Sequence, residues 1–248
     1  MMLSGLLQKA AKEDGCAAMT VKGGVALELR LHPTPRATDD IDLVIHGAGD
    51  LVQSFDSSLV PENGEPREHG GFTFQRKGEP RDLHNGAWRI EIAVRYEGTA
   101  WNTISVDLAG EELPDVAPEY INAIDLAPLR LPGPASVPCL PLTHQLAQKI
   151  HGMTHPPREG RRNERAKDLV DVLLLKEELD DLAELRLVCL SVFAKRGTHE
   201  WPPMLEVHEH WREEVLRLSE EYGLGNGTLE EGVSKARTLI ARIDKSGK

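Results

Sequence analysis

Apolar positions repeat along this chain with two different periods. Between residues 3 and 12 they fall at Leu3, Leu6, Leu7 and Ala10, the spacing of one helix face. Residues 16–21 form a short apolar run that reads as a strand. Helical spacing returns over residues 25–31, with Val25 and Leu29 inward and Glu28 outward. Pro33 ends that segment, because the residue before a proline avoids helical backbone. Residues 40–45, D-I-D-L-V-I, read as a second strand, so strand, glycine turn, helix, loop and strand make one α/β unit. A helical pattern at 51–59 and a turn at Pro61-Glu62-Asn63-Gly64 precede three alternating runs, at 72–76, 88–94 and 104–108. Trp88, Ile90, Ile92 and Val94 share one face of the second run. Ile104, Val106 and Leu108 share one face of the third, leaving Ser105 and Asp107 on the other. Glu97-Gly98 between these runs predicts a hairpin.

Prolines crowd residues 113–141, which read as a crossing segment with a short strand at 121–126. Beyond it the pattern is helical. Leu142, Leu146, Ile150 and Met153 form one apolar stripe, bordered by Lys149. Residues 155–165 are polar, basic and broken by Pro and Gly, hence a loop, and 166–179 read as a helix. Residues 181–195, 205–222 and 229–243 continue the helical pattern, with a break at Trp201-Pro202-Pro203. The expected fold class is α/β (α+β): a mixed sheet with flanking helices over residues 1–140, then a helical C-terminal domain over 141–248.

A 248-residue chain with 40% hydrophobic and 28% charged residues can bury a proper core. A formal net charge of −11 argues against a protein that coats nucleic acid non-specifically. Cys16, Cys139 and Cys189 are widely separated, with no metal-type spacing, and read as reduced thiols. The N-terminus lacks the signal-peptide pattern and no apolar run reaches membrane-spanning length, so a cytoplasmic location without membrane contact is expected.

The chemistry concentrates between residues 20 and 45. Asp40 and Asp42 lie two apart on a strand, so both carboxylates face one way. A hard divalent cation relieves their repulsion, and such ions take one or two carboxylates plus substrate phosphates. A bare D-x-D also suits a solvated strand end. Gly23-Gly24 lets backbone N–H groups at a helix start approach an anion, or is a plain turn. Asp107 is placed to join Asp40 and Asp42 if its strand lies beside theirs. Lys149 suits a snorkelling lysine, and Asp168 and Asp171 suit a solvated helix edge or pairing with Lys167, Arg165 or a partner helix. Arg158, Arg161, Arg162, Arg165 and Lys167 suit a solvated loop or phosphate contacts of a nucleic acid. There is no zinc-protease motif, nucleophile elbow or P-loop.

Five segments in order carry a resemblance: K-G-G-V-A-L-E-L-R at 22–30, R-A-T-D-D-I-D-L at 36–43, S-V-D-L at 105–108, the helix with Lys149, and R-A-K-D-L-V-D-V at 165–172. Together they resemble the AbiEii/AbiGii-type nucleotidyltransferases, toxins of type IV toxin–antitoxin and abortive-infection systems within the DNA polymerase β-like superfamily. F-A-K-R-G-T-H-E-W-P at 193–202 is similar to members of the family as well. The resemblance implies a metal-dependent enzyme moving an NMP from an NTP to a hydroxyl, such as a tRNA acceptor end. Asp40 and Asp42 match its metal-binding D-x-D, and Asp107 its third carboxylate, as ligand or base. Lys22, Gly23 and Gly24 match the phosphate turn, and Arg36 a loop arginine in phosphate contact. Lys149 matches a phosphate-holding lysine and Asp168 the acidic residue of K-D-x-x-D. Two Mg²⁺ or Mn²⁺ ions are implied as cofactors, with NTP, RNA held through Arg158, Arg161, Arg162 and Arg165, and a cognate antitoxin as partners. A small-molecule nucleotidyltransferase acting on aminoglycosides and a non-catalytic binding module on the same fold are the alternatives.

Overall fold

The computed structural model describes residues 1–14, 18–31, 40–47, 49–83, 86–157, 161–224 and 227–247. The chain divides into two compact units, Met1–Leu140 and Pro141–Lys248.

The first unit is built on one eight-stranded mixed sheet. In chain order it runs α1 (Met2–Asp14), β1 (Met19–Lys22), α2 (Gly23–Arg30), β2 (Asp40–Ile45), α3 (Leu51–Leu59), β3 (Glu68–His69), β4 (Phe72–Asp82), β5 (Trp88–Tyr96), β6 (Thr99–Ala109), β7 (Glu119–Asn122) and β8 (Ser136–Cys139). The spatial order is β3-β4-β5-β6-β2-β1-β8-β7. β2 runs parallel to β6, and β1 parallel to β8, while the remaining pairs are antiparallel. Alternation sends Val21, Leu43, Ile90, Val106 and Leu108 into a core shared with Leu3, Leu6 and Leu7 of α1 and Phe55 and Leu59 of α3. The β5–β6 turn has Glu97 at φ 46° and Gly98 at φ 77°, the primed-turn geometry that a tight hairpin needs.

The sequence patterns and the elements differ at several ends. β1 extends to Lys22, and residues 16 and 17 of the expected strand lie outside the described residues. β6 begins at Thr99, because its first five residues are exposed and carry no apolar alternation. The expected strand at 121–126 meets β7 only at residues 121 and 122, since β7 runs Glu119–Asn122; it pairs with β8, a strand hidden in the sequence by Pro138.

The second unit is helical: α4 (Leu142–Met153), α5 (Ala166–Leu175), α6 (Leu182–Arg196), α7 (Arg212–Glu221) and α8 (Leu229–Lys245). The expected helix at 166–179 stops at Leu175 and tightens into a 3₁₀ turn, Lys176–Glu178. Eight of the ten α5 residues are buried, including Asp168 and Asp171, which makes α5 the central helix of this unit. α6 starts on Asp181, whose side chain accepts from the Ala183 and Glu184 amides. It ends on Gly197 at φ 59°. α8 opens with a Thr228/Glu231 capping box.

Asn163 fixes the approach to α5. Its Nδ2 donates to the carbonyls of Gly152, Met153 and His155, and its Oδ1 accepts from the Arg165 amide. The buried Trp211 indole donates to the Asn163 carbonyl at 2.6 Å.

The 193–202 segment folds around buried His151. Arg196, which can only donate, gives a hydrogen bond to His151 Nδ1 at 3.1 Å. That leaves His151 Nε2–H to donate to Thr198 Oγ1 at 2.9 Å. The Thr198 hydroxyl donates to His199 Nδ1, His199 Nε2–H donates to Thr154 Oγ1, and the Thr154 hydroxyl donates to the Ile150 carbonyl. Burial pushes the His151 pKa down to about 3, helped by the charges of Arg196, His199 and His155.

Candidate active site

Sheet register, rather than sequence proximity, assembles the first group of candidate residues. β6 lies beside β2 with Asp107 opposite Asp42 and Ser105 opposite Asp40. The condition set for Asp107 by its spacing is therefore met. On the far side of β2, Lys22 of β1 pairs with Asp42. On the far side of β6, Arg89 of β5 pairs with Asp107. Since register partners share a face, Arg89, Asp107, Asp42 and Lys22 form one row across four strands, positive at both ends and negative between.

Arg89 closes on its neighbours as a fork. Its Nε donates to Asp107 Oδ1 at 2.6 Å and its Nη2 to Asp107 Oδ2 at 2.8 Å. Nη2 also reaches Asp40 Oδ2 at 3.0 Å. The Asp107 hydrogen bond is the main cause holding the Arg89 pKa above the ordinary arginine value; burial opposes it, and the charges of Asp107, Asp40 and Asp42 add to it. Arg89 was not singled out from the sequence. The signal was its place on the polar face of W-R-I-E-I-A-V, opposite the apolar face that identified the strand.

Gly23 begins α2 immediately after Lys22, with φ at 63°. A Cβ there would sit 2.0 Å from Asp42 Oδ2, so both the backbone and the carboxylate require glycine. Gly24 is the second residue of α2. Lys22, the residue before the helix, offers its first amides no side-chain acceptor. At the other end of α2, Arg30 forks onto Glu119 at 2.8 Å and reaches the Leu140 carbonyl at 2.9 Å, which fixes the helix against β7 and β8. Arg36 lies outside the described residues.

The second group lies in the helical unit. Lys149 of α4 donates to Asp171 Oδ2 at 2.7 Å and Asp168 Oδ1 at 3.3 Å, both on α5. Burial alone would lower the Lys149 pKa; the two carboxylates outweigh it, and the net shift is upward. Arg165 approaches Asp168 Oδ2 at 3.7 Å. Gly152, one turn after Lys149, leaves room for Asp168: a Cβ there would lie 2.8 Å from Asp168 Oδ2. Lys149 therefore lies inside an ion cluster, not on the exposed border of its stripe. Arg161, Arg162, Arg165 and Lys167 are exposed, while Arg158 lies outside the described residues.

Asp40, Asp42, Asp107, Lys22, Gly23 and Gly24 thus belong to one unit, and Lys149 and Asp168 to the other. Among the described residues, no three His, Cys, Asp or Glu side chains converge as a metal-holding group. Asp40 and Asp42 lie two apart on β2 and so share a face, and a pair of carboxylates is a donor set that suits a hard cation completed by phosphate oxygens. No helix among the described residues is long and apolar enough to cross a membrane.

The family model described as nucleotidyl transferase AbiEii toxin, type IV TA system, matches residues 5–235. Among solved structures, the chain is similar to MenT4, a nucleotidyltransferase toxin from Mycobacterium tuberculosis H37Rv. The identity is 16% and the TM-score 0.55, over 98% of this chain and 90% of that one. It is also similar to JHP933 from Helicobacter pylori, at 13% identity and a TM-score of 0.51, over 98% of this chain and 91% of that one. At such identities the likeness is one of fold. The comparison with curated protein sequences gives no match.

Proposed function

The chain belongs to the AbiEii nucleotidyltransferase toxin family, and on that premise we propose that it transfers an NMP from an NTP to a hydroxyl of RNA, such as a tRNA acceptor end. The observation that carries this reading is the register that sets Asp107 beside Asp42, with Gly23 directly under the Asp42 carboxylate. Asp40 and Asp42 would hold a divalent cation. When bound, that ion offsets charge on the triphosphate and on the departing pyrophosphate.

The chain's own residues carry the rest. The first amides of α2, at Gly23 and Gly24, face phosphate oxygens at the positive end of the helix. Lys22 adds a point charge beside them. Asp107 accepts a hydrogen bond from the attacking hydroxyl and takes its proton at a carboxylate oxygen. The new bond forms between that hydroxyl oxygen and the α-phosphorus, and the bond to the bridging oxygen breaks with pyrophosphate leaving. There is little covalent chemistry for the protein to perform, so catalysis is positioning and electrostatics. Exposed Arg161, Arg162 and Arg165 contact the RNA backbone. The toxin family implies a cognate antitoxin that restrains the activity.

Incubation with each of four α-labelled NTPs, against total RNA and against aminoglycosides, tests the reading. Label should enter RNA and require a divalent cation. Label entering only aminoglycosides would move the chain to small-molecule chemistry. No transfer, with no cation-dependent NTP binding, would leave a binding module.

A further inference from the structure

We infer that Arg89 takes the place of a second cation, so that this carboxylate face accepts one divalent ion, on Asp40 and Asp42, with Asp107 outside its coordination shell. The inference rests on the nucleotidyl-transfer reading and specifies how that site handles charge, where two ions are the family expectation.

Three features of the fork carry it. First, Arg89 engages both oxygens of Asp107, at 2.6 and 2.8 Å, and one oxygen of Asp40 at 3.0 Å. A second ion on Asp107 would have to displace or adjoin this guanidinium. Second, the guanidinium is held there by the backbone. Arg89 and Asp107 are register partners in the long β5–β6 hairpin, so the fork needs no long reach across the surface. Arginine stays charged at any working pH, and its planar fork matches a carboxylate in a way that lysine does not. Third, Arg89 brings to Asp40 and Asp107 a positive charge of the kind a second ion would bring. One divalent ion needs only one or two carboxylates with substrate phosphates, which Asp40 and Asp42 supply. The missing three-carboxylate convergence among the described residues accords with this, because Asp107 is turned to Arg89.

Arg89 is thus a positioning residue: it aims Asp107 at the acceptor hydroxyl and keeps that carboxylate from the metal. Titrating the full chain with Mn²⁺ alone, followed by electron paramagnetic resonance, tests this. Wild type should bind one ion per chain, lost on Asp42→Asn. Arg89→Met should bind two, since Asp107 is then released as a ligand. Circular dichroism checks that Arg89→Met is folded; if it is not, Arg89→Gln, neutral but still a donor, decides in the same titration. Two ions in wild type, or one in a folded neutral variant, overturn the inference and leave the nucleotidyl-transfer reading standing. No ion in wild type, or one that Asp42→Asn retains, overturns both.

Discussion

Gly23 joins backbone and site at a single atom. Its φ of 63° alone makes an L side chain costly there, by about 1–2 kcal/mol, and the Asp42 carboxylate fills the space a Cβ would need. Gly23→Ala should lower the unfolding free energy read from urea melts by about 1–2 kcal/mol, and with it the midpoint, and should reduce NMP transfer as well, because Asp42 must move. An unchanged midpoint with unchanged transfer would show that neither constraint acts. At this scale the sequence exposes what a two-residue period can carry. Asp40 and Asp42 share a face by spacing, and Asp107 opposes the apolar face of its own run. Arg89 escapes, since its importance depends on which strands pair, and register is a property of the sheet. The partners of Lys149 escape for a related reason. The three-residue spacing of Asp168 and Asp171 puts both on one side of α5, but nothing local says that α4 delivers a lysine between them.

α4 and α5 are fixed to each other by buried polar groups as well as by apolar packing. Lys149, Asp168 and Asp171 have side chains only 13%, 12% and 3% exposed. Removing the cation leaves two buried carboxylates without it, so Lys149→Ala should destabilise this unit by about 3–5 kcal/mol. Hydrogen exchange of the α4 and α5 amides reads that loss; unchanged protection would mean the cluster relaxes into solvent. His151 gives the unit a pH dependence. Held near a pKa of about 3, it stays neutral where the unfolded chain, with an ordinary histidine value near 6.5, takes up a proton. Stability is then full above about pH 6.5 and falls on acidification at up to about 1.4 kcal/mol per pH unit. Urea midpoints at several pH values for wild type and His151→Gln check this: the variant should show the shallower dependence, and equal slopes would contradict it. Element ends were less legible than element types. Pro138 hides β8, and the exposed start of β6 carries no alternation to read.

At the scale of the whole molecule, a chain of net charge −11 is read here as acting on a polyanion. On the proposed reading RNA is engaged through local cationic groups, and the exposed Arg161, Arg162 and Arg165 are the candidates. Neutralising these three together should weaken RNA modification and flatten its salt dependence, with NTP binding unchanged. A salt dependence equal to wild type would place the RNA elsewhere. The mixed α/β class and the helical C-terminal region were legible from the change of period along the chain. The eight-strand order was not, because β2 and β6 are separated by residues 46–98 and meet only in the folded sheet. The most direct test of the account is transfer of α-labelled NMP to RNA by wild type and by Asp42→Asn, with folding checked by thermal melting. The account predicts cation-dependent labelling by wild type, at least about 100-fold less by the variant, and closely similar melting curves. Equal labelling by a folded Asp42→Asn protein would contradict it.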